Sequence, residues 1–570
     1  MNEVEKLKFL RELFDEAVEV TKYSRKETLE AYEYERGNQL PEDVKTILEN
    51  RGQPARWENL YKKIGNKISG MKAMSKQEIT AFPRRMDDRD RADIISKVLR
   101  SFQDSTEWWT HKDRADKDLR LAGLSIIEAK LSILSEKDIM GRPIKEIEYN
   151  QLPATECFID LYANAPDLSD ARYFHHSKLY YKPLLKLKFG DKPANLTSNK
   201  YNMTRVTRTW YRDESNKIRC AIWADNVLLE DKPTPFTNLN RFPIAIRKLN
   251  FSTKKEYYGM FRDVRPFQDS INNTMLRIIN MLGSSKLIVE SDAVDDIDIF
   301  TSEYTQDNSV TEVRAGATGK IKDISQNAPI AQLMNIVQDA RAQAEQVIGL
   351  NSELLGSAIN RLSGYAIENR QNAGLVGLQN YMDVSGALDV DIAEISIKIM
   401  EEHFSAEQIL MISDKDNKKI PLAINEYERN KNGTIKEKDG KPVQKSLIAT
   451  GRYDLVLQRV PFNRGASGER QKNWTEIIKT LQVTHPQYIP PLLPVMLRDV
   501  DSPEAEATQK IIEEIQKQEA LNAKKQQQDP AEQKFMLELE KMRAQIAELM
   551  TQAQLNTAKA TKAAEGNIQG

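Results

Sequence analysis

Beyond a break at Asp529–Pro530, Phe535, Leu539, Met542, Ile546, Leu549 and Ala553 recur at spacings of four, three, four, three and four. This is a heptad seam, the narrow apolar stripe by which one helix meets another. A helix with such a seam needs something to pack on. It can lie on its own domain or meet the same stripe of other copies, and we read it as a self-association seam. Heptads alone set no copy number.

Three more long helices are written into the middle of the chain. Phe267, Ile271, Met275, Ile278 and Leu282 mark one over 263–285, about 30 Å long. Residues 286–328 ("KLIVES", "DIDIFTSEY", "NSVTEVRAGATGKI") alternate and bend, which predicts short strands and glycine turns. Ile330, Leu333, Val337, Ala344 and Ile348 predict a helix over 329–348, and Leu388, Ile392, Ile395 and Ile399 form the stripe of a third over about 364–404. Between these last two lies "GLNSELLGSAINRLSGYAIENRQNAG" (349–374). A small, polar stretch of that length is uncommon in a compact domain unless it has a task.

Toward the N-terminus, Leu7, Leu10, Phe14, Ala17 and Val18 predict an amphipathic helix over 4–23. Up to about residue 260 we expect helices near 90–132 ("ADIISKVLRSF", "DLRLAGLSIIEAKLSIL") and strands at "ECFIDLY", "KLYY" and "RCAIWA". Residues 405–462 read as β-rich, with turn signals "KNGT" and "KDGK" before the alternating "RYDLVLQRV". The class is α+β, predominantly helical. With 570 residues, several domains are expected.

Composition narrows the chemistry. Charged residues make up 29% and hydrophobic residues 40%, with a net charge of −1. No apolar run approaches the roughly 18–20 residues that cross a bilayer, and "MNEVEKLKF" does not read as a signal peptide, so a cytosolic chain is expected. Cys157 and Cys220 stand alone among five histidines, and adjacent side chains such as His175 and His176 diverge. "RAGATGKIK" lacks Ser or Thr after Lys320 and a glycine five places before Gly319, so it is no phosphate cradle. "DKDNKKIPLAIN" lacks Gly at its sixth place (Lys419) and Glu at its twelfth (Asn425), so it is no calcium loop. We expect no catalytic residue, metal or cofactor, and a structural or binding role. No Lys/Arg block resembles a tight DNA-binding patch. Leu287–Val313, by contrast, holds Glu290, Asp292, Asp295, Asp296, Asp298, Glu303, Asp307 and Glu312 with no Lys or Arg. That run is either a solvated hairpin or an acidic rim that docks a basic partner or repels a polyanion.

The order of elements resembles the portal proteins of short-tailed double-stranded DNA phages. The resemblance runs through "GNQLPEDVKTILENRGQPARWENLYKKIGNKISG" (37–70), with Gly-x-Gln-x-Pro and Arg-Gly-x-Pro followed by an Asn and a Gly. It continues in "LPATECFIDLYANAPDLSDARYFHHSKL" (152–179), with an Asp and then Asp-x-x-Asp-Ala, and in "PFQDSINNTMLRIINML" (266–282), with Gln-x-x-Ile-Asn. The strongest stretch is "VIGLNSELLGSAINRLSGYAIENRQNAG" (347–374), and "YDLVLQRVPFNRGASGER" (453–470) is similar to the strand closing the core.

The resemblance implies a homo-oligomeric ring, usually of twelve subunits, at one vertex of the virion capsid, assembled in the host cytoplasm. Double-stranded DNA would pass through its centre without sequence specificity. Expected partners are the terminase large subunit, a tail adaptor protein, and the major capsid and scaffolding proteins, with no membrane. The implied parts are a wing (1–262 and 405–462), stem helices (263–285 and 329–348) and a clip (286–328). A tunnel loop with a long wing helix (349–404), a crown (463–528) and a C-terminal helical barrel (529–570) complete them. On this scheme Asn351, Ser352, Gly356, Ser357, Asn360, Arg361, Ser363 and Gly364 would line the channel, the glycines permitting bends, and the acidic run would fall on the clip. Another capsid-vertex or head–tail adaptor protein, or a coiled-coil scaffold protein, would be the rival readings.

Overall fold

Asn2 and Glu5 decide where the first helix begins. The Asn2 side chain accepts the Glu5 N–H (2.8 Å), and the Glu5 carboxylate accepts the Asn2 N–H (2.9 Å), a reciprocal capping box. The helix, α1 (Glu3–Arg36), runs past the expected 4–23 until Gly37 ends it at φ +95°. The computed structural model describes residues 2–50, 54–55, 57–74, 77–83, 89–105, 107–138, 140–282, 287–304, 310–323, 330–350, 377–404, 407–413, 419–428, 435–438, 441–442, 455–461 and 474–482, with single positions at 492 and 541. Contacts divide the chain into Met1–Phe462 and Asn463–Gly570. Of the second unit, 474–482 are helical, and the expected seam at Phe535, Leu539, Met542, Ile546, Leu549 and Ala553 lies outside the described residues.

In the first unit α1 is followed by α2 (Glu42–Asn50), α3 (Leu60–Met74), β1 (Gln77–Pro83), α4 (Arg89–Ser105) and α5 (Trp108–Ala122). Next come β2 (Leu124–Lys137), β3 (Pro143–Gln151), β4 (Cys157–Ile159), β5 (Tyr173–Tyr181), α6 (Lys182–Phe189), β6 (Met203–Arg212), β7 (Ile218–Ala224), β8 (Val227–Pro233) and β9 (Ile244–Lys248). The short β10 (Asn250–Phe251) and β11 (Tyr257–Tyr258) lead into α7 (Phe261–Leu282), β12 (Leu287–Val289), α8 (Ile297–Tyr304), β13 (Ile321–Asp323) and α9 (Ile330–Val347). The unit ends with α10 (Gln379–His403), β14 (Gln408–Ser413), β15 (Lys419–Ile424), β16 (Glu437–Lys438), β17 (Lys441–Pro442) and β18 (Leu455–Pro461). The strands make an antiparallel five-stranded sheet, β4-β5-β6-β7-β8, a three-stranded sheet, β3-β2-β9, and several two-stranded pairs. An α+β fold is what the patterns lead one to expect. The pairing of β1 with β18, Gln77 opposite Pro461 through Pro83 opposite Leu455, ties the end of this unit back to its first strand.

One expectation fails at a glycine. "LSIIEAKLSIL" is strand β2, not the end of a helix. Leu124 and Ile126 join one core and Ile127 and Ala129 another, so both faces of the strand are buried. An apolar run of that kind lacks the period of two and mimics a helix. The stop is Gly123 at φ +74°, where a Cβ would fall 2.1 Å from the Tyr258 carbonyl carbon and oxygen.

Two of the resemblance motifs meet inside the fold. Gln39, from Gly-x-Gln-x-Pro, accepts from the Asn272 side chain (2.8 Å), and Asn272 accepts from Gln268 (3.1 Å). The Gln268 amide also accepts the Tyr61 N–H (3.0 Å) and donates to the Glu58 carbonyl (2.6 Å). All three amides are buried. Asn59 donates to the Tyr34 and Glu35 carbonyls (3.2 and 3.1 Å) at the end of α1. The buried Arg120 guanidinium pairs with Glu35 (3.1 Å) over Gly65, where a Cβ would meet it at 2.4 Å. The Asp-x-x-Asp-Ala run is likewise a braced turn. Asp160 holds Arg172 (2.8 Å), Asp167 holds Arg241 (2.8 Å), and Asp170 accepts the N–H groups of Asn164 and Ala165.

Replacing Gln268 by Ala strands buried partners on both sides, at a cost of about 1–3 kcal/mol per unsatisfied group. Urea unfolding should show Q268A destabilised on the order of 3 kcal/mol, with N273A, at an exposed position, close to wild type. Asp118 supplies a pH test. It is buried, accepts from Tyr32, Gln151 (2.7 Å) and the Ala154 N–H (3.0 Å), and burial pushes its carboxyl up to about 6. A carboxyl raised on folding contributes stability below its unfolded pKa and loses it as pH rises through the folded one. The stability advantage of wild type over D118N should therefore narrow by about 2 kcal/mol between pH 4 and pH 7. An unchanged difference would contradict the assignment.

Candidate functional site

The polar stretch and the helices beside it are the site to build. His175 Nδ1 and Thr209 Oγ1 are 2.8 Å apart, and His176 Nε2 and Glu156 are 3.1 Å apart, so the adjacent histidines serve different partners. Both cysteines are free thiols, and burial raises each above its ordinary pKa. Among the described residues no three His, Cys, Asp or Glu side chains are grouped to hold a metal, and no helix is long and apolar enough to cross a membrane.

Helices α7 and α9 pack together as a pair, α7 burying Phe261, Val264, Ile271 and Ile278, and α9 burying Leu333, Val337, Ala340 and Ala344. Phe267 and Met275 are only partly buried, and Met334 is exposed. Lys67 of α3 reaches Glu345 of α9 (2.8 Å), and Arg341 of α9 donates Nε to Glu58 (2.9 Å). Between the helices the chain makes an excursion in which β12 pairs with β13, Leu287 opposite Asp323 and Val289 opposite Ile321.

The expectation of strands alone is corrected here, because "DIDIFTSEY" contains helix α8. Ile297 and Ile299 alternate with aspartates and imitate a strand, but the Asp296 carboxylate accepts the N–H groups of Asp298 (2.8 Å) and Ile299 (3.3 Å) and so starts a helix. Ile297 and Ile299 are exposed, and Phe300 is buried.

The acidic run is partly answered from within. Asp295 pairs with Arg314 (2.6 Å), and Lys320 pairs with Asp292 and lies 4.0 Å from Glu290. The hydrogen bond from Lys320 keeps Asp292 below its ordinary pKa. Lys320, from the discarded phosphate-loop lookalike, is thus a counter-ion for acids that precede it. Asp298, Glu303 and Glu312 complete the described members of the run, and Asp307 lies outside the described residues.

Asn351, Ser352, Gly356, Ser357, Asn360, Arg361, Ser363 and Gly364 also lie outside the described residues. The base from which they spring is described. Gly349 follows α9 at φ +80°, and its Cβ, were there one, would fall 2.5 Å from the Gly377 Cα. The reverse clash, from a Cβ on Gly377 to the Gly349 Cα, is also 2.5 Å. The two ends of a segment of more than twenty residues therefore touch backbone to backbone.

Sequence reasoning missed what anchors the far end. On α10, Leu388, Ile392, Ile395 and Ile399 are buried as expected, but Asp389 and Asp391 are buried with them. Lys112 of α5 pairs with Asp389 (2.7 Å) and Asp116 (3.3 Å) and donates to the Ser385 carbonyl (2.6 Å). Ser385 donates to Asp116 (2.6 Å), and Lys72 of α3 bonds both. Burial opposes the Lys112 charge, yet Asp116 and Asp389 outweigh it and hold its pKa above the ordinary value. Burial and the neighbouring Lys112 push Lys72 down to about 8. Asp391 takes both arms of Arg247 from β9 (2.5 and 2.7 Å). The signal was present as two acids set within an apolar stripe.

Even alanine at Gly377 forces the base apart. G377A should lower the thermal midpoint by several degrees, a loss on the order of 2–3 kcal/mol, whereas alanine at Gly316, which has open space around it but a positive φ, should cost about 1 kcal/mol. Equal midpoints for G377A and wild type would exclude a closed base.

Comparison with known proteins matches the chain to the family described as "Phage P22-like portal protein" over residues 11–217 and 201–563. A relative named "Portal protein", from Helicobacter pylori bacteriophage KHP30, is 31% identical over 539 residues, covering 92% of this chain and 85% of that protein.

Proposed function

The chain belongs to the phage P22-like portal family, and on that premise we propose that copies of it close into a ring, the channel through which double-stranded DNA enters and leaves a capsid. The match over nearly the whole chain carries this reading and favours it over the adaptor and coiled-coil scaffold alternatives. The helix pair α7 and α9 would be the stem, β12–α8–β13 the clip, and α10 the wing helix behind the channel loop. Twelve copies at one vertex, assembled in the host cytoplasm with the capsid and scaffolding proteins, is the form that suits the family.

The role is structural, and the physics is that of a conduit. Duplex DNA carries a phosphate charge every ~1.7 Å along its axis. A lining of small polar groups, such as Asn351, Ser352, Ser357, Asn360 and Ser363, offers no deep well in which that polyanion would stop. Arg361 would give at most a weak, salt-sensitive contact. The acids Asp298, Glu303 and Glu312 on the excursion would keep a phosphate backbone from adhering, or meet a basic surface of the terminase large subunit or tail adaptor. The exposed Ile297 and Ile299 beside them suit a protein contact at that end.

Purified full-length protein viewed by negative-stain microscopy should show closed rings with a central channel, and class averages down the axis should give the copy number. Deleting 530–570 should leave the rings intact, because the seam there would only extend a body closed elsewhere. A monodisperse monomer at high concentration would overturn the reading, and loss of rings on that deletion would return it to a coiled-coil scaffold.

A further inference from the structure

Between Ser177 and Arg205 the chain carries seven Lys or Arg residues against the single Asp191. No other observation above accounts for that bias. The segment is the end of β5, helix α6 and the start of β6, where Tyr181 lies opposite Met203 and Leu179 opposite Arg205. We infer that this end of the five-stranded sheet is a second contact face for duplex DNA, outside any channel. The inference rests on the reading above that the protein works beside DNA in a capsid.

Most of the charges here lack a carboxylate partner. Among the described residues no carboxylate pairs with Lys178, Lys186, Lys188, Lys200 or Arg205, although lysines elsewhere in the unit find theirs. Arg25, the neighbour from α1, donates to the carbonyls of Cys157 and Thr155 (3.0 Å each) and covers Phe158, which leaves its charge uncompensated. Arg25, Lys178 and Arg205 line one open groove with Tyr180 and Tyr181. Glu156 in that groove faces His176 at 3.1 Å. The other acids that reach this face are engaged too. Asp225 accepts from the Thr197 N–H and hydroxyl (3.0 and 2.5 Å), and Glu3 is 3.9 Å from Lys192.

A surface that gathers like charges without counter-ions is completed by an anion from outside. Lysines, point charges on flexible stems, suit phosphates in no fixed register. Exposed Tyr180, Tyr181 and Tyr201 lie among them, with Lys178 over Tyr180 (4.9 Å) and Lys200 over Tyr201 (5.0 Å). Leu184 and Leu187 are exposed on α6 as well, and an acidic amphipathic protein would use them. The charges spread over two strands and a helix rather than flanking one apolar groove, and this favours the extended, evenly charged polyanion.

The test uses assembled full-length rings and covalently closed circular duplex DNA, which cannot thread a closed ring. Wild-type rings should retain the circle at about 100 mM salt. The variant K178A/K186A/K188A/K200A should retain it at least tenfold less well, with a log–log salt slope shallower by about 3–4, as four lost phosphate contacts require. Lysine-to-arginine substitution at the same positions should keep binding. On wild-type rings, the circle should also protect these four lysines from acetylation, read by mass spectrometry. Three results would overturn the inference: no retention by wild-type rings, equal retention by the alanine variant, or binding of polyglutamate in place of DNA. Each can occur with rings intact, whereas absence of rings would strike the portal reading itself.

Discussion

Two aspartates on one apolar helix dictate how the large unit goes together. Asp389 and Asp391 sit among Leu388, Ile392 and Ile395, where water is excluded. A carboxylate there costs several kcal/mol unless it is paired and hydrogen-bonded. Lys112 from α5 and Arg247 from β9 supply the pairs, so α10 can occupy only the register that satisfies both at once. The apolar stripe would tolerate a slip of one turn, because its residues are interchangeable in kind. The charges would not, since the slip leaves them buried alone. Arg241 carries the constraint further, lying 3.9 Å from Asp391 and 2.8 Å from Asp167 in the braced turn. The start of α10, and with it Gly377 at the base of the polar segment, is held to the rest of the unit by ion pairs rather than by apolar packing alone.

How much of this was legible depends on whether local periodicity and tertiary burial agreed. The helices at 261–282 and 330–347 were readable because each buries one stripe and leaves the other side wet, as α7 does with Ile271 buried and Asn273 exposed, while 379–403 was readable from its apolar stripe although most of its surface is buried. β2 was misread because it is buried on both faces and carries no stripe. α8 was misread for the opposite reason, since two of its isoleucines face solvent and burial never shaped their spacing. The buried amides at Gln39, Gln268 and Asn272 were visible only as motif letters. Which of them touch, across more than 200 residues, is a fact of the tertiary structure.

Net charge hid more than it told. A balance of −1 over 570 residues conceals a basic stretch at 177–205 and an acidic one at 287–313. The acidic stretch turns part of itself inward on Arg314 and Lys320, which lie just past its end, and so offers less field than its count implies. Among the described residues the basic stretch finds one carboxylate within pairing distance, Glu3 beside Lys192. Two runs of similar bias in the sequence therefore differ in what they present to solvent, and only the hydrogen-bond partners reveal which is which.

The motifs that carry the family resemblance are, where the structure describes them, the parts of a frame. Gln39 meets Asn272 and, through it, Gln268, Gly37 and Asn59 shape the end of α1, Gly65 makes room for Arg120, and Asp160, Asp167 and Asp170 brace one turn. None is placed to attack, to transfer a proton or to hold a metal. That suits the conduit proposed above. Its work is done by where the backbone stands, so the residues that matter most are those that keep helices and turns from drifting. The proposed channel surface would need only to be small and polar, a demand many sequences meet and no short motif expresses.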